Sequence, residues 1–193
     1  LHGYPLIAYS IAACKMSNMI GRVIVSTDDE EIAEVALEYG AEVPFMRPAN
    51  LATDKSRDKE VLEHYFSVTG EADVAYIRPT TPLRDPGFID DHIREYFHTK
   101  ILCSTGVRSM HELPESPHKM FQIDKKGYCR GFFDHFNGIK NYTNLPRQTF
   151  PRAYQPNGYL DIVNKATLDT GDTFGDNILP IVTDFVIEVD TPF

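Results

Sequence analysis

Four stretches of this 193-residue chain bring together side chains suited to chemistry. RPTTPLR (78–84) sets Arg78, Thr80, Thr81 and Arg84 on a backbone stiffened by Pro79 and Pro82, directly after the apolar run DVAYI (73–77). Cations and hydroxyls fixed at a strand end suit a polar or anionic ligand, although a proline-rich turn with solvated arginines has the same composition. In VSTDDEE (25–31), Ser26, Thr27 and Asp28 close a second β-branched run. Asp28 faces a ligand there or caps a helix, since Glu31 three residues later completes a helix N-terminus signature. FVIEVD (185–190) alternates, which places Glu188 and Asp190 on one strand face. Two carboxylates roughly 7 Å apart are costly if buried unpaired. A bound Mg²⁺ relieves that cost, and so does an edge strand with a solvated acidic face. The fourth set is Lys119 in SPHKMF, Arg147 in NLPRQ and Asn157 in YQPNGY; an arginine suits bidentate binding of a carboxylate, and each is equally a surface or turn residue.

The elements that must position these groups alternate in type. Leu6, Ile7, Ser10, Ile11 and Cys14 predict a helix from about Pro5 to Ser17. RVIVS (22–26) predicts a strand, and the helix after it carries Ile32, Val35, Ala36 and Tyr39 on one face before Gly40 ends it. AEVPFMR (41–47) reads as a strand, 56–68 as a helix and DVAYI as a strand buried on both faces. Residues 85–97 form a helix capped by Asp85 with Pro86 at its first position, and LCSTGV (102–107) is another strand. Strands alternating with helices at this spacing predict an α/β chain with a mainly parallel, doubly wound sheet, whose ligands collect beyond the carboxyl ends of the strands. From 108 to 157 proline, glycine, asparagine and aromatics break the rhythm, which predicts an excursion with a hairpin around HKMFQIDKKGYCRGFF. YLDIV (159–163), ATLDTG (166–171), ILPIV (178–182) and DFVIEVD (184–190) then restore strand, short helix and strands.

The totals narrow the function. A net charge of −9 argues against nucleic acid or an anionic membrane as partner. Cys14, Cys103 and Cys129 are scattered and odd in number, which fits a reducing cytoplasm rather than a disulfide framework or zinc site. No apolar run reaches the roughly 20 residues of a membrane helix. The chain enters on a helical pattern without a Met, as expected of a piece whose beginning lies upstream.

HGYPLIAYSI, VIVSTDDEEIAEVALEYGAEVPFMRPANLATD, YIRPTTPLRD, PRQ, QPNGY and IEVDTP, in this order, resemble the acylneuraminate (CMP-sialic acid) cytidylyltransferases and their relatives acting on legionaminic and other nonulosonic acids. The resemblance covers nearly the whole chain. It implies a single nucleotidyltransferase domain (1–193), a three-layer α/β/α sandwich of GT-A-like type, lacking the family's first strand and its phosphate loop. It also implies transfer of CMP from CTP to a nonulosonic acid with Mg²⁺, and a homodimer formed through the 108–157 excursion. On that model Arg47, Ser26, Thr27 and Asp28 lie near the nucleotide. Arg78, Thr80, Thr81, Arg84, Asn157 and Gly158 line the sugar pocket, Lys119 and Arg147 face the sugar or the second subunit's site, and Glu188 and Asp190 hold the metal.

The chain departs from the sialic-acid pattern in having Arg78 where Gln is usual, Glu188 where Asp is usual and Asp161 where N-G-x-I-Y has Tyr. These departures favour another nonulosonate, such as legionaminate. The runner-up is a cytidylyltransferase for the eight-carbon 3-deoxy-octulosonate, disfavoured because no Q-G-D-x-P element replaces RPTTPLR. An inactive homologue that binds nucleotide or dimerises is the alternative outside enzymology.

Overall fold

The computed structural model describes residues 1–101 and 103–189. Its centre is a four-stranded sheet of β1 (Asp73–Tyr76), β2 (Gly106–Glu112), β5 (Tyr154–Asn164) and β6 (Ile178–Thr183), in the order β1-β5-β2-β6. β1, β2 and β6 run one way, as expected of a mainly parallel sheet. The sheet is nevertheless mixed, because β5 lies between β1 and β2 and pairs antiparallel with both.

Alternation along the strands builds three layers. Val107, Leu160, Ile162 and Ile181 face α1 (Leu6–Met16) and α4 (Pro86–Lys100), whose Ala13, Ile89, Ile93 and Tyr96 complete the larger core. On the opposite face Val163 packs with Leu62 and Phe66 of α3 (Asp58–Thr69) and Leu168 of α5 (Lys165–Asp169). Burying apolar area at roughly 25 cal/mol per Å² on both faces makes the sheet the rigid part of the molecule. A third cluster, Ile11, Ala36 and Ala41, seats α2 (Glu30–Glu38) against α1.

Three sequence expectations change. RVIVS and AEVPFMR are joined by a single parallel bridge, Ile24 to Glu42, with Val25 N donating to Glu42 O at 2.9 Å; they form no ladder with β1 among the described residues. β1 is accordingly a half-buried edge strand, not one buried on both faces. The helix cap is Asp29, whose carboxylate accepts from Ile32 N at 3.0 Å, and this leaves Asp28 exposed.

β2 starts at Gly106 and runs on to Glu112, and β5 starts at Tyr154, so the segment outside the sheet is 113–153 rather than 108–157. It contains the expected hairpin, β3 (Phe121–Ile123) with β4 (Cys129–Gly131). His118, stacked on Phe133 and Phe150 at ring distances of 4.7 and 4.9 Å, packs the excursion together with buried Tyr142. Residues 184–189 form no strand, so the alternation expected for FVIEVD does not hold there.

Candidate active site

The ladder between β2 and β5 is interrupted by a bulge between Arg108 and Met110, and residues 157–160 of β5 (NGYL) occupy it. A bulge re-aims the backbone of one strand. Here it turns the carbonyls of Asn157, Gly158 and Tyr159 toward RPTTPLR. Thr81, fully buried, donates through Oγ1 to Asn157 O at 3.2 Å. Arg78 to Thr81 is a turn closed by Thr81 N donating to Arg78 O, with Pro79 at its second position, the place that suits a fixed φ.

Arg84 fastens the two motifs from beneath. Its Nε donates to Tyr159 O at 2.7 Å, Nη1 to Ser10 Oγ at 2.9 Å and to Thr81 O, and Nη2 to Arg78 O and Gly158 O at 2.7 and 2.9 Å. All five N–H groups are thereby used. Burial among neutral acceptors pulls its pKa down to about 10. The sequence placed Arg84 in the sugar pocket; the structure turns it inward, with no donor left for a ligand.

Asn157 is committed in the same way. Its amide donates to Thr183 Oγ1 at 2.8 Å and its carbonyl oxygen accepts from Tyr159 N at 3.2 Å. Thr81, Arg84 and Asn157 therefore build the wall, and Arg78 lines the cleft beside it.

Gly158 adopts φ +61°, and a Cβ there would come within 3.0 Å of Arg78 Nη1 and 3.8 Å of Glu188 Oε1. Those two distances show that Arg78, Gly158 and Glu188 meet. The last described residue keeps them together, as Val189 N donates to Thr80 O at 2.8 Å. Glu188 is exposed, and a single exposed carboxylate is a donor of the kind Mg²⁺ accepts alongside water and phosphate oxygens. Asp190, its expected partner, lies outside the described residues. Among the described residues no three His, Cys, Asp or Glu converge to hold a metal.

The residues expected near the nucleotide also meet. Arg47 N donates to Thr27 O at 2.8 Å, and Ser26 Oγ and Arg47 Nε are both buried without a hydrogen-bond partner among the described residues. Ser26, Thr27, Arg47 and Arg78 line one cleft of about 620 Å³, whose remaining length, between residues 22–26 and β1, is mainly apolar with Arg22, Glu71 and Asp73 among its lining. Lys119 and Arg147 are not brought to this mouth by any hydrogen bond or ion pair among the described residues. Lys119 Nζ donates to Thr143 O at 2.7 Å, and Arg147 lies 3.9 Å from Glu115 beside a separate 350 Å³ hollow in the excursion.

Two residues absent from the sequence-derived site set hold Arg78. Asp58, at the start of α3, accepts from Arg78 Nη2 at 2.6 Å and from Tyr76 Oη at 3.0 Å. Asp161, on β5, accepts from Arg78 Nη1 at 3.2 Å. The sequence signal for Asp161 was a lone acid inside an apolar strand; Asp58 gave none beyond that of a first-turn acid.

A family model described as cytidylyltransferase matches residues 1–150. The chain is 32% identical over 183 residues to an N-acylneuraminate cytidylyltransferase of Escherichia coli, a match covering 93% of this chain and 41% of that protein. It is 33% identical over 132 residues to a CMP-N,N'-diacetyllegionaminic acid synthase of Legionella pneumophila, covering 66% of this chain and 55% of that protein. The chain thus spans about half or less of the length of these two relatives. Among solved structures, CMP:2-keto-3-deoxy-manno-octonic acid synthetase complexed with CTP has a similar fold, with a TM-score of 0.67 at 13% identity, covering 97% of this chain and 83% of that one. With a family match over residues 1–150 of 193, the chain belongs to the cytidylyltransferase family.

Proposed function

We propose that this chain carries the core of an enzyme transferring CMP from CTP to a nonulosonic acid, with release of pyrophosphate. The observation that carries the reading is that Arg78, which meets Gly158 and Glu188, also lines the cleft that holds Ser26 and Arg47. In the reaction the sugar hydroxyl oxygen bonds to the α-phosphorus, the bond from that phosphorus to the bridging oxygen breaks, and pyrophosphate leaves with the electron pair. The hydroxyl proton passes to a base. Such a transfer depends on positioning and on neutralising phosphate charge more than on covalent help from the protein.

Ser26 Oγ and Arg47 Nε, buried and unpaired, are the groups proposed to bind the nucleotide. Thr27 and exposed Asp28 flank them. Arg78 and Thr80 bound the acid-sugar side, with Gly158 giving Arg78 its room. Glu188, with Asp190, would hold Mg²⁺, which supplies charge neutralisation at the α-phosphate when bound. The sugar favoured is a legionaminate-type acid, because Arg78 and Asp161 pair directly and replace the residues usual for N-acetylneuraminate. The apolar stretch of the cleft, flanked by the edge of β1, suits an extended peptide segment rather than a triphosphate.

The excursion exposes Met120, Phe121, Ile123, Tyr128, Phe132 and Phe133, an apolar surface of the kind that marks an interface. A homodimer through that surface, offering Lys119 and Arg147 to the second subunit's sugar, accounts for their distance from the mouth. A cytoplasmic reaction fits the use of CTP as donor, and no described helix is long and apolar enough to cross a membrane. The test is transfer of label from [α-³²P]CTP to an acidic sugar. Label that stays in CTP with every nonulosonate supplied would count against the reading.

A further inference from the structure

Asp161 is completely buried on β5, and burial pushes its carboxyl pKa up while the charges of Arg78 and Arg108 oppose that shift. Arg78 Nη1 reaches Oδ2 at 3.2 Å, and Ser109 N donates to Oδ1 at 3.2 Å. Arg108 is Asp161's cross-strand partner on β2 and so shares its face of the sheet. Its guanidinium lies over the Phe174 ring at 4.9 Å, and its buried Nε has no hydrogen-bond partner among the described residues. On the far side Asp58 takes Arg78 Nη2 at 2.6 Å, and the Arg78 guanidinium lies 5.2 Å from the centre of the Tyr76 ring. Asp58, Arg78 and Asp161 thus form one chain of ion pairs, from the solvent edge at Asp58 to the buried Asp161.

Such a network is a poor source of net stability. Apolar residues of the same volume would serve the core at least as well, since desolvating each ion offsets most of the attraction. It does fix geometry, because a guanidinium held at both Nη atoms and laid over an aromatic ring has lost most of its rotamer freedom. The group so fixed stands beside Gly158 and Glu188, where the reading above places the acidic sugar.

We propose that Asp161 is a positioning residue that, with Asp58, holds the Arg78 guanidinium in one orientation as a preformed donor to an oxygen of the acidic sugar. The inference rests on the proposed function for its substrate, but the fixing of Arg78 is testable separately.

The experiment compares wild type, Asp161→Asn, Arg78→Gln and the double variant in the full natural polypeptide, with CTP, Mg²⁺ and the sugar the wild type uses. Asp161→Asn should raise KM for the sugar about tenfold or more, the loss of one charge-assisted hydrogen bond, and move KM for CTP less than about twofold. In the Arg78→Gln background the same substitution should change sugar KM by less than about twofold, since the residue it acts through is gone. Asp58→Asn, at the exposed end, should act in the same direction more weakly, and it serves if the buried substitution prevents folding. Independent of turnover, the ¹⁵Nε–H signal of Arg78 should be sharp and slow to exchange in wild type and broadened in Asp161→Asn. Equal rises in both KM values, additivity with Arg78→Gln, or an unchanged Arg78 signal would overturn the proposal. A wild type that uses no acidic sugar would overturn the functional reading, while the Arg78 signal still decides the positioning.

Discussion

Val189 N donates to Thr80 O at 2.8 Å, and this one hydrogen bond joins the C-terminal acidic segment to the RPTTPLR turn. Residues 73 to 80 and 188 to 189 are far apart in sequence and belong to no common ladder, so the bond is what holds Glu188 at the mouth. Glu188→Gln keeps the shape and removes the charge. It should lower kcat by roughly 10²-fold, the order lost with one electrostatic stabiliser, and raise the Mg²⁺ concentration needed for half-maximal rate. Steady-state rates across a Mg²⁺ series check this, and an unchanged Mg²⁺ dependence would remove Glu188 from the metal.

Gly158→Ala probes the same corner from β5. A side chain at φ +61° costs about 1 kcal/mol, and its Cβ would stand 3.0 Å from Arg78 Nη1. The expected result is a small fall in Tm with a disproportionate rise in sugar KM, because Arg78 must move. A loss of Tm alone, with sugar KM intact, would show that the glycine serves only the backbone.

Arg84→Met should act on stability. It removes the partners of four backbone carbonyls and Ser10 Oγ, several of them buried, and should cost roughly 3–5 kcal/mol in urea unfolding. Arg84→Lys should recover little, since an ammonium cannot reproduce the planar fork. A cost below about 1 kcal/mol would contradict the wall-building role given to this residue.

Asp90 gives a pH prediction. Hydrogen bonds from Ser17 Oγ first, then from Asn18 and Met19, hold its pKa down to about 2, below the unfolded value of about 3.9. A carboxyl lowered in the folded state contributes stability above its unfolded pKa and loses it as pH falls through the folded one. Wild type should therefore melt several degrees above Asp90→Asn at pH 6, with the gap closing between about pH 4 and pH 2. A gap independent of pH, measured by thermal melts, would contradict this.

Much of the architecture was legible because it follows from local rules. The Asp85–Pro86 helix start, the Gly40 stop and the apolar DVAYI run appear where cap chemistry and hydrophobic pattern put them. Where the reading failed, two local signals competed. Asp28 and Asp29 can both cap a helix, and only the register of Ile32 N decides for Asp29. RSMHE (108–112) and YQPN (154–157) were read as parts of the excursion. They pair nonetheless as β2 and β5, because the bulge absorbs the turn chemistry and Ser109, His111, Asn157 and Asp161 are buried.

The candidate site was legible as a set of residue types and less so as roles. The sequence names Arg78 and Arg84 alike, but which one turns inward depends on carbonyls supplied by PNGY from a distant strand. Asp58 was invisible as a site residue because its partner lies 20 positions away. Long-range pairing of this kind has no local signature.

The most direct test of the central claim is pyrophosphate release by the full natural polypeptide with CTP and Mg²⁺. N-acetylneuraminate, legionaminate, pseudaminate and the eight-carbon 3-deoxy-octulosonate are offered in parallel, with Asp190→Ala as control. Release with a nonulosonate, strongest with legionaminate or a close relative and abolished in the variant, is the expected result. Release with the eight-carbon acid alone, or with none of the sugars from a folded protein, would contradict it.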